Sequence, residues 1–454
     1  MQYQGKTFIW KTLSAALRSK GEIVLNVASS GIASLLLPGG RTAHSRFAIP
    51  ININEDSTCN IKQGSQLAGL IRACKLIIWD EAPMVHKHCF EALDKSMRDI
   101  LHLTNPVSYT KPFGGKTVVL GGDFRQILPV IPKGSRHDIV RATINSSYLW
   151  KQCAVLRLTK NMRLESTKDP NEYEEIRKFA TWIAGIGDGM IGEQVHGCAT
   201  IEIPNDILLK YDGDPIAAIV NSTYPDFSKI GNDPTYLENR AILAPTLDVV
   251  DSINQYMMSL NVQESKTYLS ADTACQSDTN ADVLTDLHTL EFLNTLKCSG
   301  VPNHELTLKV GTPVMLLRNM DHSMGLCNGT RLVITRLGSH VLEARILTGR
   351  TAGQKVLIPR LNLTPSDVRM PFKFQRRQFP LVVSYAMTIN KSQGQSLSHV
   401  GLFLKNPVFC HGQLYVAVSR VTKREGLKIL ITNNDGTPCN STINVVYPEV
   451  FQNV

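Results

Sequence analysis

The sequence lacks the features of membrane-spanning and secreted proteins. In its 454 residues no apolar run approaches the ~20 residues that a membrane-spanning helix needs. The first residues, MQYQGKTFIW, show no basic start followed by an apolar stretch and a cleavage site, and no transit peptide is visible. We therefore expect no contact with a membrane and an intracellular location.

Cysteine pairs are also missing. The ten cysteines are scattered along the chain, and no two of them form a C-x-x-C motif. This pattern argues against a structural zinc site and against a small disulfide framework. We expect reduced, mostly buried thiols and no disulfide partner.

One region has few acidic residues, although the whole chain is not strongly charged. The formal net charge is +9, and residues 331–380 carry ten bases against two acids. Residues 201–300 show the opposite balance, with fifteen acids and five bases. A local basic excess is typical of proteins that bind a phosphate backbone, but a solubilising surface explains it equally well.

The most informative stretch is residues 75–84, KLIIWDEAPM. An apolar run without polar alternation predicts a strand buried on both faces, as in a parallel sheet. Ligands bind beyond the carboxyl ends of such strands, which is where Asp80 and Glu81 follow. One carboxylate can hold a metal ion while its neighbour orients or deprotonates water. A solvated acidic turn is the structural alternative.

The N-terminal residues contain half of a second motif. Gly5, Lys6 and Thr7 open a helix-like pattern and match the end of the phosphate-binding loop G-x-x-x-x-G-K-[ST]. In that loop, backbone N–H groups and the lysine bind phosphate, and the hydroxyl reaches Mg²⁺. The first glycine and the preceding strand would fall before Met1, so we expect a chain truncated at its own phosphate loop.

Two further apolar segments are each followed by polar residues. The segment TVVL (117–120) runs into GGDFRQILPV, in which Gln126 suits the sensing of a terminal phosphate. The segment 154–158 runs into TKNMR, which ends at Arg163. Polar residues at the ends of three predicted strands indicate one shared site at the edge of a sheet.

The motifs together resemble a known family. The ordered set GKT, WDEAPM, GGDFRQILPV, LTKNMR, AMTINKSQGQSL and LYVAVSR is similar to superfamily 1 DNA helicases. It is most similar to the petite-integration-frequency (Pif) family and to the helicase region of Helitron transposons. The resemblance implies an α/β fold with two RecA-like P-loop NTPase domains of parallel sheets and a small SH3-like β-barrel insert in the second.

The resemblance also implies the nucleotide site, with ATP and Mg²⁺ as cofactors. Gly5, Lys6 and Thr7 match the phosphate loop, and Thr7 and Asp80 match the magnesium ligands. Glu81 matches the base that activates water, and Gln126 matches the sensor of the γ-phosphate. Arg163 and Arg420 match arginines that reach this phosphate, an interaction that can be worth 10³–10⁵ in rate.

The implied partners are single-stranded DNA and duplex or forked DNA, unwound with 5′ to 3′ polarity. In the first domain Ser30, Gly31 and His44 match the DNA-contact loops of the family. In the second domain the matching loop residues are Thr388, Lys391, Ser392, Gln393 and Gly394. The resemblance further implies roles in DNA repair, recombination or telomere maintenance. We expect a monomer located in the nucleus, with the mitochondrion as the other possible compartment.

The predicted domain organisation has four parts. Residues 1–165 form the first RecA-like domain, with a small insert near 47–71, and 166–234 form a linker or helical region. Residues 235–305 and 380–454 form the second RecA-like domain, and 306–379 form the SH3-like β insert.

Two alternatives stay open on the sequence. Because Tyr3 and Gln4 occupy loop positions that favour glycine, the chain could be a catalytically impaired remnant that binds single-stranded DNA. It could also be the helicase fragment of a Helitron transposon.

Overall fold

A computed structural model describes residues 3–160, 162, 169–195, 197–231, 233–275, 289–298, 300–365, 370, 372–433, 435–452 and 454. The described chain divides into two compact units. Unit 1 comprises residues up to Lys210 together with 392–398 and 402–454, and unit 2 comprises 211–391 and 399–401. No helix in these ranges is both long enough and apolar enough to cross a bilayer.

The helices are α1 (Tyr3–Arg18), α2 (Gly31–Leu35), α3 (Ala43–Phe47), α4 (Gln66–Ala73), α5 (Lys87–His102), α6 (Arg136–Ala142), α7 (Pro170–Asp188), α8 (Pro215–Thr223), α9 (Phe227–Ile230), α10 (Pro234–Glu238), α11 (Leu247–Leu260), α12 (Leu290–Thr295) and α13 (Gln413–Val418). A short 3₁₀ turn, Ala82–Met84, follows the strand that ends at Asp80.

The strands are β1 (Ile23–Ala28), β2 (Arg41–Thr42), β3 (Cys74–Asp80), β4 (Thr117–Leu120), β5 (Gln194–Val195), β6 (Cys198–Glu202), β7 (Arg240–Ala244), β8 (Ser265–Leu269), β9 (Ala271–Ala274), β10 (Glu305–Lys309), β11 (Pro313–Leu316), β12 (Arg331–Leu337), β13 (Val341–Ile346), β14 (Lys355–Pro359), β15 (Leu361–Leu363), β16 (Phe374–Gln378), β17 (Leu381–Val383), β18 (Ala386–Thr388), β19 (His399–Leu404), β20 (Leu427–Ile431) and β21 (Ser441–Val445).

A parallel sheet forms the centre of unit 1. Its order is β2-β1-β3-β4, and each neighbouring pair in it is parallel. The register places Ala28 beside Asp80 and Trp79 beside Leu120, so the carboxyl ends of three strands meet at one edge. Helices pack on both faces, with Trp79 and Phe90 in one core and Trp10 in the other. The prediction of an α/β fold with parallel sheets is confirmed.

Residues 402–454 contribute to unit 1 through a second, antiparallel sheet. Strand β21 pairs with β6 in antiparallel register, from Ser441 beside Glu202 to Val445 beside Cys198, and β5 pairs with β6. The predicted linker region 166–234 therefore contains the helix α7 and two paired strands. The predicted domain bounds stay a prediction. The compact units differ from them, since residues 402–454 belong to unit 1 and pair there with β6.

One predicted strand is wrong. Residues 153–160 form no strand in the structure, although Ala154–Leu158 is apolar. Leu156 is 91% exposed, and this segment pairs with no strand in the described part of the chain. An apolar run becomes a strand only where a partner satisfies its backbone groups.

Unit 2 combines a parallel strand pair with antiparallel sheets. Strand β18 pairs in parallel with β7, next to the helix α11. The basic region predicted as the β insert, 306–379, contributes four strands to a five-stranded antiparallel sheet of order β14-β13-β12-β11-β17. The fifth strand, β17, lies just beyond the predicted insert. Two smaller sheets, β10-β8 and β15-β16-β9, complete this unit. Strand β19 is divided between the units after Gly401.

Candidate nucleotide and DNA site

Three of the predicted nucleotide-site residues form a buried ionic cluster in unit 1. Nζ of Lys6 lies 2.8 Å from Oε1 of Glu81 and 3.3 Å from Oδ1 of Asp80. Lys6 lies in the first turns of α1, Asp80 is the last residue of β3, and Glu81 follows it. All three side chains are at most 5% exposed. The structure thus joins two motifs that lie about 75 residues apart in the chain.

The backbone at Glu81 adopts an uncommon conformation. Its φ of 55° and ψ of 41° lie in the left-handed region, which costs a residue with a side chain roughly 1 kcal/mol or more. Ser29 stabilises this conformation because its hydroxyl donates to the carbonyl oxygen of Glu81 at 2.6 Å. The same hydroxyl accepts the indole N–H of Trp79 at 3.1 Å. Ser29, the residue after β1, therefore fixes the turn that presents Glu81, a role that the sequence did not reveal.

Burial changes the acidity of Glu81. Desolvation raises the pKa of this carboxyl group, and the nearby ammonium of Lys6 opposes the increase. The negative charges of Asp80 and Asp123 raise the pKa further. A carboxyl group with a raised pKa is better matched to accepting a proton near neutral pH than an ordinary glutamate.

Asp80 has the chemistry expected of a magnesium ligand. Its Oδ1 atom is buried and accepts no hydrogen bond from the described residues. The ammonium of Lys6 forms an ion pair with this oxygen at 3.3 Å without donating a hydrogen bond to it. Mg²⁺ usually binds one or two protein carboxylates and completes its shell with water and substrate phosphates. No group of three or more His, Cys, Asp or Glu in the described ranges is arranged to hold a metal ion. One buried carboxylate, together with the half-buried hydroxyl of Thr7 that follows Lys6 in α1, fits a metal that arrives with phosphates.

The loop after β4 carries Gln126 into the same unit. Gly121 and Gly122 allow close packing, because a Cβ atom would lie 2.2 Å from the Trp10 ring and 2.0 Å from Cδ of Pro83, respectively. Gln126 is 3% exposed, and its Oε1 accepts from Nε2 of Gln393 at 2.9 Å. A predicted phosphate sensor thus contacts a predicted DNA-loop residue directly.

The segment 411–415 holds this loop at three points. Tyr415 donates its hydroxyl to Oδ2 of Asp123 at 2.7 Å, and His411 contacts the carbonyl oxygen of Phe124 at 2.7 Å. Gly412 has a φ of +72°, and a Cβ atom there would lie 2.2 Å from the carbonyl oxygen of Arg125. Tyr415, His411 and Asp123 were not among the predicted site residues. Asp123 and Tyr415 lie inside the GGDFRQ and LYVAVSR motifs, and His411 lies three residues before the second, so motif membership was the available signal.

Arg420 is buried among backbone carbonyl groups of unit 1. Its guanidinium donates to the carbonyl oxygens of Val416 at 2.8 Å, Gln395 at 3.1 Å and Ser392 at 3.3 Å. It therefore supports the loop that carries Gln393. Its predicted contact with a γ-phosphate stays a prediction, and Arg163 lies outside the described residues.

The predicted DNA residues fall into two groups. In unit 1, Ser30 accepts the N–H of Ala33 at 3.2 Å and so caps α2, which begins at the buried Gly31. Gly394 lies next to this helix start, since a Cβ on Gly394 would be 3.6 Å from Ile32. The loop containing Ser392, Gln393 and Gly394 therefore meets the strand–turn–helix that contains Ser30.

The remaining predicted DNA residues are His44 in unit 1 and Thr388 and Lys391 in unit 2. His44 is half-buried in α3, where burial lowers its pKa and its Nε2 lies 3.8 Å from Sγ of Cys89. Thr388 ends β18 beside Ala244 in unit 2. Lys391, also in unit 2, donates to Oδ1 of Asn328 at 3.5 Å.

Sequence comparisons connect this chain with helicases. Residues 3–197 match the family described as PIF1-like helicase, and residues 291–337 match the 2B domain of DNA helicase Pif1. ATP-dependent DNA helicase PIF1 of Danio rerio is 26% identical over 458 residues, which cover 98% of this chain and 59% of the relative. ATP-dependent DNA helicase Pif1 of Bdellovibrio bacteriovorus is 25% identical, and the match covers 94% of this chain and 82% of that relative. The chain thus spans about 60% of the length of the fish relative.

Solved structures show the same fold. Pif1 helicase from Candida albicans has a TM-score of 0.62 at 22% identity, and the match covers 99% of this chain and 92% of that chain. Bacteroides Pif1 bound to single-stranded DNA also has a TM-score of 0.62 at 22% identity, with 94% and 86% covered.

Proposed function

The chain belongs to the Pif1-like helicase family, and from this premise we propose that it is an ATP-dependent DNA helicase. It would couple ATP hydrolysis to movement along single-stranded DNA and to the unwinding of duplex or forked DNA. The observation that carries the proposal is the buried cluster of Lys6, Asp80 and Glu81 at the carboxyl end of β3.

Each residue of the cluster has a chemical task in this proposal. Bound Mg²⁺ and ATP would supply the phosphoryl group and neutralise its charge. Lys6 would bind the phosphates, and Asp80 with Thr7 would hold the metal. Glu81 orients water and accepts its proton, and its raised pKa suits that role.

The contact between Gln126 and Gln393 supports coupling of the nucleotide to DNA. Gln126 follows β4 in the nucleotide site, and Gln393 belongs to the loop that meets the start of α2. A movement of Gln126 on loss of the γ-phosphate would therefore act directly on a DNA-contact loop. The 5′ to 3′ polarity is part of the proposal and is carried by family membership.

Other features of the proposal rest on the family alone. A role in repair, recombination or telomere maintenance and a nuclear location stay predictions. We propose a monomer, although a solved relative is described as two coordinating Pif1 helicases at forked DNA. Light scattering of the chain with and without a DNA fork tests the oligomeric state.

The direct test is ATP hydrolysis by the purified chain with and without single-stranded DNA. We expect DNA-stimulated turnover that falls about 10²–10⁴-fold in Glu81→Gln, because that exchange removes a general base. Glu55→Gln, an exposed carboxylate in the same unit, is the matched control and should keep wild-type turnover. Equal turnover in Glu81→Gln and wild type would contradict the assigned site.

One observation favours a second function, the binding of single-stranded DNA without turnover. Lys6 is paired with carboxylates, and Arg420 donates to backbone carbonyl groups. If neither residue is released for phosphate, the chain would bind DNA and hydrolyse no ATP. Salt-dependent DNA binding without any DNA-stimulated turnover would support this function over the helicase.

A further inference from the structure

Unit 1 contains a basic depression separate from the nucleotide cluster. Its cavity has a volume of about 300 Å³ and lies between the start of α5 and the helix α6. Its titratable lining residues are His86, Lys87, His88, Asp138 and Arg141. None of them was assigned to ATP or DNA by the motifs of the sequence.

Basic side chains outnumber acidic ones in the lining of this depression, which has Lys87 and Arg141 against Asp138. Oδ2 of Asp138 accepts the backbone N–H of Ser135 at 2.9 Å and its hydroxyl at 2.7 Å. These hydrogen bonds lower the pKa of Asp138, so its negative charge is held against the Ser135 turn. Burial lowers the pKa of His86, and the charges of His88 and Lys87 lower it further. The surroundings therefore favour an anion over a cation.

A buried carboxylate orients one of the histidines. Nδ1 of His88 lies 2.7 Å from Oε2 of Glu91, and Oε1 of Glu91 accepts the hydroxyl of Ser147 at 2.6 Å. Glu91 is only 7% exposed and has no part in the nucleotide cluster. The contact with the buried Glu91 carboxylate therefore fixes the orientation of the His88 ring at the edge of the depression.

The position of the depression in the fold points to the kind of ligand. His86–His88 follow the carboxyl end of β3, and α6 follows the carboxyl end of β4. In parallel sheets ligands bind at this edge, where the nucleotide cluster also lies. A lysine and an arginine beside an oriented histidine are the donors that proteins use for phosphate.

We propose that this depression is an accessory phosphate-binding site, formed by Lys87, His88 and Arg141, for the backbone of a nucleic acid strand. The proposal rests on the proposed function only for the identity of the strand. The alternative source of the same chemistry is free inorganic phosphate, which the experiment distinguishes.

The test compares wild type with the double variant Lys87→Ala/Arg141→Ala in the full chain. Binding of a fluorescein-labelled oligothymidylate is measured by anisotropy as a function of salt. We expect roughly tenfold weaker binding near 0.1 M salt. We also expect the slope of log K against log salt concentration to become smaller in magnitude by about 1.4, since each of the two lost contacts to a single strand removes about 0.7. Lys62→Ala/Lys111→Ala removes two exposed charges elsewhere in unit 1 and should change neither quantity comparably. Lys87→Arg/Arg141→Lys keeps the charges and should retain binding.

Inorganic phosphate, followed by ³¹P line broadening, forms the second arm of the experiment. Loss of oligothymidylate binding in the double variant supports a backbone site. Loss of phosphate binding alone supports the phosphate site but assigns it to the free ion. Wild-type behaviour of the double variant in both arms would overturn the proposal. ATP hydrolysis is measured in parallel so that the two proposals can be separated. If wild type binds DNA through this depression but hydrolyses no ATP, the proposed helicase function is contradicted and the phosphate site is still supported.

Discussion

The buried imidazole of His411 should make the stability of unit 1 depend on pH. The side chain is 2% exposed. Its Nε2 lies 2.7 Å from the carbonyl oxygen of Phe124, and its Nδ1 accepts the N–H of Tyr447 at 2.8 Å. The ring is therefore neutral, with its proton on Nε2. Burial lowers the pKa of His411 from 6.5 to about 4, even though the Phe124 carbonyl favours the charged form.

The sign and size of the effect follow from these two pKa values. Between pH 6.5 and 4 the unfolded chain binds a proton at His411 and the folded chain does not. The stabilisation is thus complete above pH 6.5 and is lost as pH falls toward 4. Since one pKa unit corresponds to about 1.36 kcal/mol, the whole interval is worth about 3 kcal/mol.

The assay is urea unfolding at pH 7 and pH 5 for wild type and His411→Gln. Between these values His411 should cost the wild type about 2 kcal/mol of unfolding free energy, in addition to what other groups contribute. Between pH 7 and pH 5 the unfolding free energy of His411→Gln should fall by about 2 kcal/mol less than that of wild type, whatever the stability of the variant at pH 7. The exposed His137→Gln should follow wild type. An unchanged pH dependence in His411→Gln would refute the reasoning.

Two further predictions concern packing and buried charge. Arg376→Met should destabilise the fold by about 3–5 kcal/mol in urea unfolding, because it leaves Asp272 unpaired where both side chains are 0% exposed. Adding Asp272→Leu should recover part of that loss, and no recovery would contradict the account. Gly121→Ala should cost about 1–3 kcal/mol because its Cβ would meet Trp10 at 2.2 Å. Gly69→Ala, in a helix and with nothing within 4 Å, should gain up to about 1 kcal/mol, and equal effects of the two exchanges would refute the packing argument.

The local pattern of apolar and polar residues was enough to predict several of the buried strands and helices. The apolar run before Asp80 is the strand β3, 117–120 is the strand β4, and the helical pattern at 247–260 is the helix α11. The motifs also selected Lys6, Asp80 and Glu81 as one group, and the structure places them in contact. The strands and helices could be predicted because they depend on the periodicity of apolar side chains. The group of site residues could be predicted because its motifs occur in few kinds of binding site.

Tertiary structure alone decided where distant segments meet. Residues 154–158 have the composition of a strand, but they pair with none in the described chain, whereas β6 in the predicted linker pairs with β21. Backbone pairing needs a partner that a local pattern cannot specify. The same limit applies to the site, since Tyr415 meets Asp123 and Gln393 meets Gln126 across more than 260 residues. The sequence predicted which residues form the candidate site, because that prediction depends on residue types. Folding decided which of these residues touch, because contacts depend on which surfaces pack together.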